Sequence, residues 1–262
     1  MRTPRLLPAI LVVLPVAQAL GQAPNITRYR VETTNETTVD LSGVGQPNQH
    51  VSFTLVTWIA VALKDTTGGR SLRVTVDSMR FEGMVPGLSQ ESADSARGGT
   101  ITGLLDPASR LNGLAARPEN PFLSDLQGVV HGLFPRVKPG ARAGEHWTDT
   151  LAITNTSSGA NLVSSYVITY QAGAPETRQG RPGTRLAANI IASITGSMEN
   201  PMAGTMEVTG TIKGESSMVV DANGHHLGGT SKSTSEQLLR MNMAPSPIPV
   251  TTSRTVAISL LP

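Results

Sequence analysis

The sequence contains no cysteine. That excludes disulfides, thiol nucleophiles, thiolate metal sites and a lipid-bearing cysteine behind a leader. Aromatic residues make up 3% of the chain, too few to provide stacking platforms for bases or sugars. The formal charge of +2 arises at the very start of the chain. The 21 Lys and Arg, less Arg2 and Arg5, equal the 19 Asp and Glu. A balanced chain with no Lys/Arg cluster lacks the electrostatic footprint of a nucleic-acid binder. The sequence has no G-x-S-x-G elbow, no H-E-x-x-H pair and no phosphate-cradling glycine loop. Its longest apolar run falls short of the roughly 20 residues that a membrane-spanning helix needs.

What is present starts with a leader. Met1 to Ala23 has a basic start at Arg2 and Arg5, an apolar stretch from Leu6 to Val16, and Ala17-Gln18-Ala19 as a cleavage signal. Cleavage falls after Ala19, with Ala23 as the alternative. Its removal predicts an exported protein, periplasmic or extracellular, with no transmembrane span in the mature chain. Export without disulfides suits a bacterial envelope, where a chain of this length can be held by its core. Asn25, Asn35 and Asn155 each open an N-x-[ST] triplet, which in a bacterial chain is read as chance.

The one convincing helix spans 120–134. Asn120 is a suitable N-cap and Pro121 a suitable first helical residue. Leu123, Leu126, Val130, Leu133 and Phe134 recur at three- and four-residue steps and form one apolar stripe. Gly128 and Gly132 share a face, and close packing on a sheet is the expected compensation for their poor helix propensity. Pro135 stops the helix, and Gly144 leads into a strand near Glu145.

Almost everything else alternates with the period of a strand. From Val51 to Leu63, Val51, Phe53, Leu55, Ile59, Val61 and Leu63 fall on odd numbers, with Trp58 on the other face. Leu72, Val74 and Val76 are even, whereas Met79 and Phe81 are odd, a phase change that predicts a bulge. Later strands place Trp147 with Leu151 and Ile153, Tyr166 with Tyr170, and Leu186 with Ile190 and Ile194 on single faces. Pro86 to Gly99 reads as a loop, and Asp106 to Gly113 as turns. Gly228 to Gln237 is polar on both faces, so it is expected to project beyond the core.

The fold class is therefore mainly β, a β-rich α+β arrangement. Antiparallel curved sheets or an incomplete barrel carry one central amphipathic helix over an open side. The domain expectation is a single unit, 24–262, in two sequential halves (about 24–118 and 145–262) joined by the helix. An outer-membrane barrel is the rival, but three Tyr, two Trp and four Phe cannot build two aromatic girdles.

Leu133-Phe-Pro135, then Gly144-Glu-His-Trp147, then a strand with Tyr166 and Tyr170, resembles an uncharacterised family of bacterial secreted and lipoprotein-like β-rich domains. The pattern of that family is L-F-P … V-x-x-G-D-x-W. Here Glu145 and His146 stand at the acidic-polar pair, and the lipid-bearing cysteine is missing. The resemblance implies a fold and a compartment and brings no activity with it.

The expected role is a non-catalytic envelope protein holding an apolar molecule, a lipid for example, or an envelope partner between helix and sheet. Phe53, Leu55, Ile59, Leu126, Val130, Leu133, Trp147 and Ile190 are the candidate lining residues. No catalytic residue, cofactor, metal or nucleic acid is expected. The alternative is a structural or interaction module that uses the Gly228–Gln237 ribbon as an edge for strand addition. Two further readings are a hydrolase whose residues meet only in space and a thioether copper binder built from Met198, Met202, Met206, Met241 and Met243. Core gap-filling is the ordinary role of such methionines. His50, His131, His146, His225 and His226 read as surface polar residues.

Overall fold

The structure is a computed structural model that describes residues 25–85, 87–107, 109–155, 159–200, 204–241 and 246–262. The leader, Met202 and Met243 lie outside the described residues.

Among the described residues, eleven antiparallel strands form one sheet. They are β1 (Asn25–Val39), β2 (Gln49–Thr66), β3 (Gly69–Gly83), β4 (Thr100–Leu105), β5 (Leu111–Arg117), β6 (His146–Asn155), β7 (Ala160–Arg178), β8 (Arg181–Asn200), β9 (Gly204–Val220), β10 (His226–Met241) and β11 (Ile248–Leu260). Their spatial order is β5-β4-β3-β2-β1-β11-β10-β9-β8-β7-β6. The first and last strands therefore meet in the middle, with Thr33 opposite Val256. The edges, β5 and β6, are the two strands that flank the main helix in sequence. The sheet curls into a half-barrel with that helix, α2 (Pro121–Gly132), on its inner side.

The alternation read from the sequence is the alternation of burial. Leu55, Ile59 and Val61 of β2 are buried on the concave side. The phase change in β3 is a bulge: Trp58 and Ile59 of β2 face Ser78 and Val76, and Asp77 is the extra residue. Helix α2 starts as expected. The Asn120 side chain accepts from the amides of Phe122 (2.9 Å) and Leu123 (3.4 Å). Its amide group also donates to Ser92 O (3.2 Å) and Ser95 Oγ (3.0 Å), tying the helix start to the segment before β4. The stripe of Leu123, Leu126 and Val130 is buried with Ile59, Val74, Val76, Phe81 and Ile101 in one core on the β1–β5 side.

Three expectations are corrected. The stretch expected as turns, Asp106 to Gly113, runs into strand β5 from Leu111, and Asn112-Gly113 sits in a bulge. The β4–β5 register shifts between Thr102 and Leu104, and Gly113 takes φ 62°, which a glycine adopts freely. The loop before β4 contains a short helix, α1 (Gln90–Asp94), capped by Ser89. There the Gln90 side chain accepts from Phe81 N (2.7 Å) and donates to Met79 O (3.1 Å), satisfying the part of β3 that β4 does not reach. Gly228–Gln237 does not project: it is paired on both sides, with β9 and β11, along its whole length.

Asn120→Ala should lower unfolding stability by about 2 kcal/mol in a urea titration, more than the cap alone is worth, because the bonds to Ser92 O and Ser95 Oγ are lost as well. Asn120→Asp, which keeps the acceptor and loses the donor, should fall between. Equal stability of all three proteins would show that the cap does not organise the helix.

Candidate functional site

The core fills only one side of α2. On its other side lies a cavity of about 530 Å³, bounded by the helix and the concave face of β6 to β11. Gly128 and Gly132 form part of its helical wall together with Val129 and His131. A Cβ at either glycine would meet no heavy atom within 4 Å. The close glycine packing expected from the sequence is therefore absent: these two positions leave room for the cavity.

The opposite wall is apolar. It is built by Leu151 and Ile153 of β6, Tyr166 and Ile168 of β7, Ala188 and Ile190 of β8, and Ile212 of β9. A polar stripe runs beside it through Ser216, Ser231, Ser233 and Arg254. Ser216 and Ser231 face each other across β9 and β10. The Ser216 Oγ is buried with no hydrogen-bond partner among the described residues. Arg254 donates twice to Asp125 of the helix, at 2.8 Å each, a bidentate pair that fixes direction as well as distance. At the rim are Ser109 to Asn112 at the start of β5 and Asp149 to Ile153 on β6.

Of the eight residues singled out from the sequence, the structure places Ile190 in the cavity wall. Leu55, Ile59, Leu126, Val130 and Leu133 are buried in the filled core, with Phe53 packed against it. Trp147 packs on a smaller cluster of Ala172, Leu186, Met218 and Val220. An apolar helical stripe marks the face that a helix buries, and the cavity lies against the face that carries Gly128 and Gly132. Gly128 and Gly132 were visible signals of that face. Ser216, Ser231, Ser233 and Arg254 carried none, because a polar residue pointing into a cavity reads in sequence like one pointing into water.

The segment from Leu133 to Trp147 connects α2 to β6. Trp147 Nε1 donates to Arg136 O (2.8 Å), and the ring stacks on Tyr170 with centroids 5.5 Å apart. Arg136 pairs with Asp149 at 2.7 Å. Glu145 accepts from Lys138 and from the Arg142 amide, and these bonds hold its carboxyl below the usual range. Burial pushes the Tyr170 hydroxyl up to about 12, with Asp149 adding in the same sense.

Three histidines depart from the surface expectation. His131 is half-buried in the cavity wall, and burial lowers its pKa. His226 is 3% exposed, and its Nδ1 accepts from Gly228 N (3.0 Å). The carbonyl of His226 accepts from the Tyr29 hydroxyl (2.9 Å). Burial lowers its pKa to about 4. His225 pairs with Asp221 (3.0 Å) and turns its other ring nitrogen to Arg70 (3.2 Å). That arrangement staples the β9–β10 turn to β3 and presents no serine to the imidazole.

No family model and no curated protein matches the chain. Among solved structures the chain has several matches at low identity, three of which follow. DynF from the dynemicin biosynthesis pathway of Micromonospora chersina is 12% identical over 90% of this chain and 80% of that one, with a TM-score of 0.24. Salmonella typhi OmpF in complex with daunomycin is 7% identical over 89% and 97%, with a TM-score of 0.30. A mutant Rh. blastica porin is 12% identical over 89% and 99%, with a TM-score of 0.23. At such TM-scores these likenesses carry no argument about architecture or activity.

His226 has a pH consequence of definite sign. Its folded pKa of about 4 lies below the ordinary 6.5, so the unfolded chain binds more protons between those values. Stability is therefore full above pH 6.5 and falls as pH drops toward 4. His226 alone should remove about 2 kcal/mol by pH 5. His226→Asn keeps an acceptor near the Gly228 amide, so it should flatten that part of the slope in urea titrations at pH 7.5 and 5. An unchanged slope would place the acid sensitivity elsewhere.

Proposed function

We propose that the protein is an exported, non-catalytic protein of the bacterial envelope that holds an amphipathic small molecule between α2 and the concave face of β6–β11. The ligand is mainly apolar and carries one uncharged polar group. The observation that supports this reading is the cavity of about 530 Å³ backed by a helix face with no side chain at Gly128 or Gly132. Its size falls in the range of small-molecule sites, and its few convergent polar groups beside an apolar wall match their chemistry. The unpartnered Ser216 hydroxyl, with Ser231 opposite, suits a hydrogen-bonding head group. Arg254 is already neutralised by Asp125, which argues against a strongly anionic head.

The reading of an exported protein rests on the leader, Met1 to Ala23. The convex surface supports a water-facing sheet: Glu207, Lys213 and Glu215 of β9 and Lys232, Glu236 and Arg240 of β10 are exposed on it. A lipid-facing strand would carry an apolar stripe there. The alternative of strand addition at Gly228–Gln237 is set aside, because both sides of that strand are occupied.

Protein purified from its own host under native conditions should release a near-stoichiometric small molecule on organic extraction, seen as a mass difference in native mass spectrometry. The double variant Gly128→Leu/Ile190→Phe, which fills the space, should lose that mass and bind N-phenyl-1-naphthylamine at least about tenfold more weakly, with an unchanged melting temperature. Equal dye binding by the filled variant, or a host-purified protein with no bound molecule, would reject the proposal.

A further inference from the structure

Beyond the far end of the cavity the concave face carries a row of thioethers. Met198 of β8 lies directly opposite Met206 of β9, and Met206 directly opposite Met241 of β10. Each shares the parity of cavity-facing residues on its own strand: Ile190 on β8, Ile212 on β9, Ser231 on β10. The three side chains therefore emerge on the same side. The row is separated from the cavity. Met206 stands six residues along β9 from Ile212, about 20 Å at strand rise, and the buried Ile194, Val208 and Ile248 lie between.

We propose that Met198, Met206 and Met241 form a binding site for a soft monovalent cation, Cu(I) or Ag(I). Directly opposed residues on antiparallel strands have Cβ atoms roughly 5 Å apart. The flexible thioether arms of Met198 and Met241 can therefore lean toward Met206, and curvature toward this side brings them closer. Three neutral sulfur donors select soft monovalent ions over Zn(II), Ca(II) or Mg(II), which need nitrogen, thiolate or oxygen ligands. The acidic neighbours Glu199 and Glu207 have the opposite parity and face the convex side, so they add no hard ligand to the row. Core filling accounts for Met206, which is 7% exposed. It accounts less well for Met198 and Met241, which are only half-buried and would be served as well by leucine.

The test uses the full chain labelled with ¹³C-methyl methionine in chloride-free buffer, titrated with silver nitrate as a redox-stable probe of the site. One equivalent of Ag(I) should shift the methyl signals of Met198, Met206 and Met241, assigned from the three single Met→Leu variants, and leave those of Met79 and Met218 in place. M206L should bind about tenfold more weakly, and the triple M198L/M206L/M241L variant should lose the high-affinity event, while its melting temperature holds because Met→Leu conserves volume. The proposal is overturned if one equivalent moves none of the three signals, if the triple variant binds Ag(I) as the parent does, or if Zn(II) moves the same three signals. Should a variant not fold, methyl-to-backbone nuclear Overhauser contacts in the parent assign its signal, and the parent's three signals decide.

Discussion

The structure depends on how one helix, tied in sequence to both edges of the sheet, commits a single apolar stripe to one half of it. Strand order places β5 and β6 at opposite edges, and α2 is the segment between them in sequence. The helix is therefore tethered to both edges and lies inside the curl. Its stripe spans one face, and burial of that stripe is the main favourable term available to it. Phe122, Leu123, Leu126 and Val130 are committed to the core with β1–β5. The face toward β6–β11 holds Gly128 and Gly132, which have no side chain with which to fill the other side.

The two halves of the sheet are prepared for these different fates. The concave residues of β2 and β3 are large and contiguous: Leu55, Ile59, Val74, Val76, Phe81. Those of β9 and β10 mix Ile212 with Ser216, Ser231 and Ser233, a surface on which an apolar helix stripe would strand hydroxyls without partners. The Asp125–Arg254 pair reinforces this orientation. Both partners are about one-third exposed, so its net stabilisation is small. Its bidentate geometry instead sets the rotation of the helix about its axis, which keeps the glycine face on the cavity.

Much of the fold was legible because burial alternates wherever a strand has one dry face. The odd residues of β2, the phase change at Asp77 and the cap at Asn120 all follow from that rule or from local hydrogen bonding. What escaped has a common physical cause. Asn112-Gly113 looks like a turn, yet here it is a bulge within β5; the φ that a glycine supplies serves both. The strand β10 shows no apolar face because its inner residues meet a cavity, not a core. His226 reads as a surface residue because it follows a polar turn, and the Tyr29 bond to its carbonyl comes from a strand 197 residues away. For the site, the apolar stripe pointed to the filled side of the helix, and of the residues chosen by that logic Ile190 is the one in the cavity wall.

The same asymmetry gives the Leu133–Trp147 segment a physical role. An apolar contact could not hold α2 at a fixed distance from β6, because there is a cavity between them. The distance is set instead by a short covalent path with hydrogen bonds at both ends. Leu133 is buried at the end of the helix, and Trp147 is fixed at the start of β6 by its bond to Arg136 O and its stacking on Tyr170. Between them Gly144, at φ 86°, donates to Ala172 O (2.7 Å), and Ala172 N donates to Glu145 O (2.9 Å). These two bonds extend the β6–β7 ladder into the turn. A segment so constrained acts as a spacer: its length and its aromatic anchor determine how far the helix stands from the edge strand, and so how wide the cavity is at its rim. The most distinctive stretch of the sequence then contributes Phe134, Pro135 and Arg136 to the cavity lining and also spaces the helix from the edge strand.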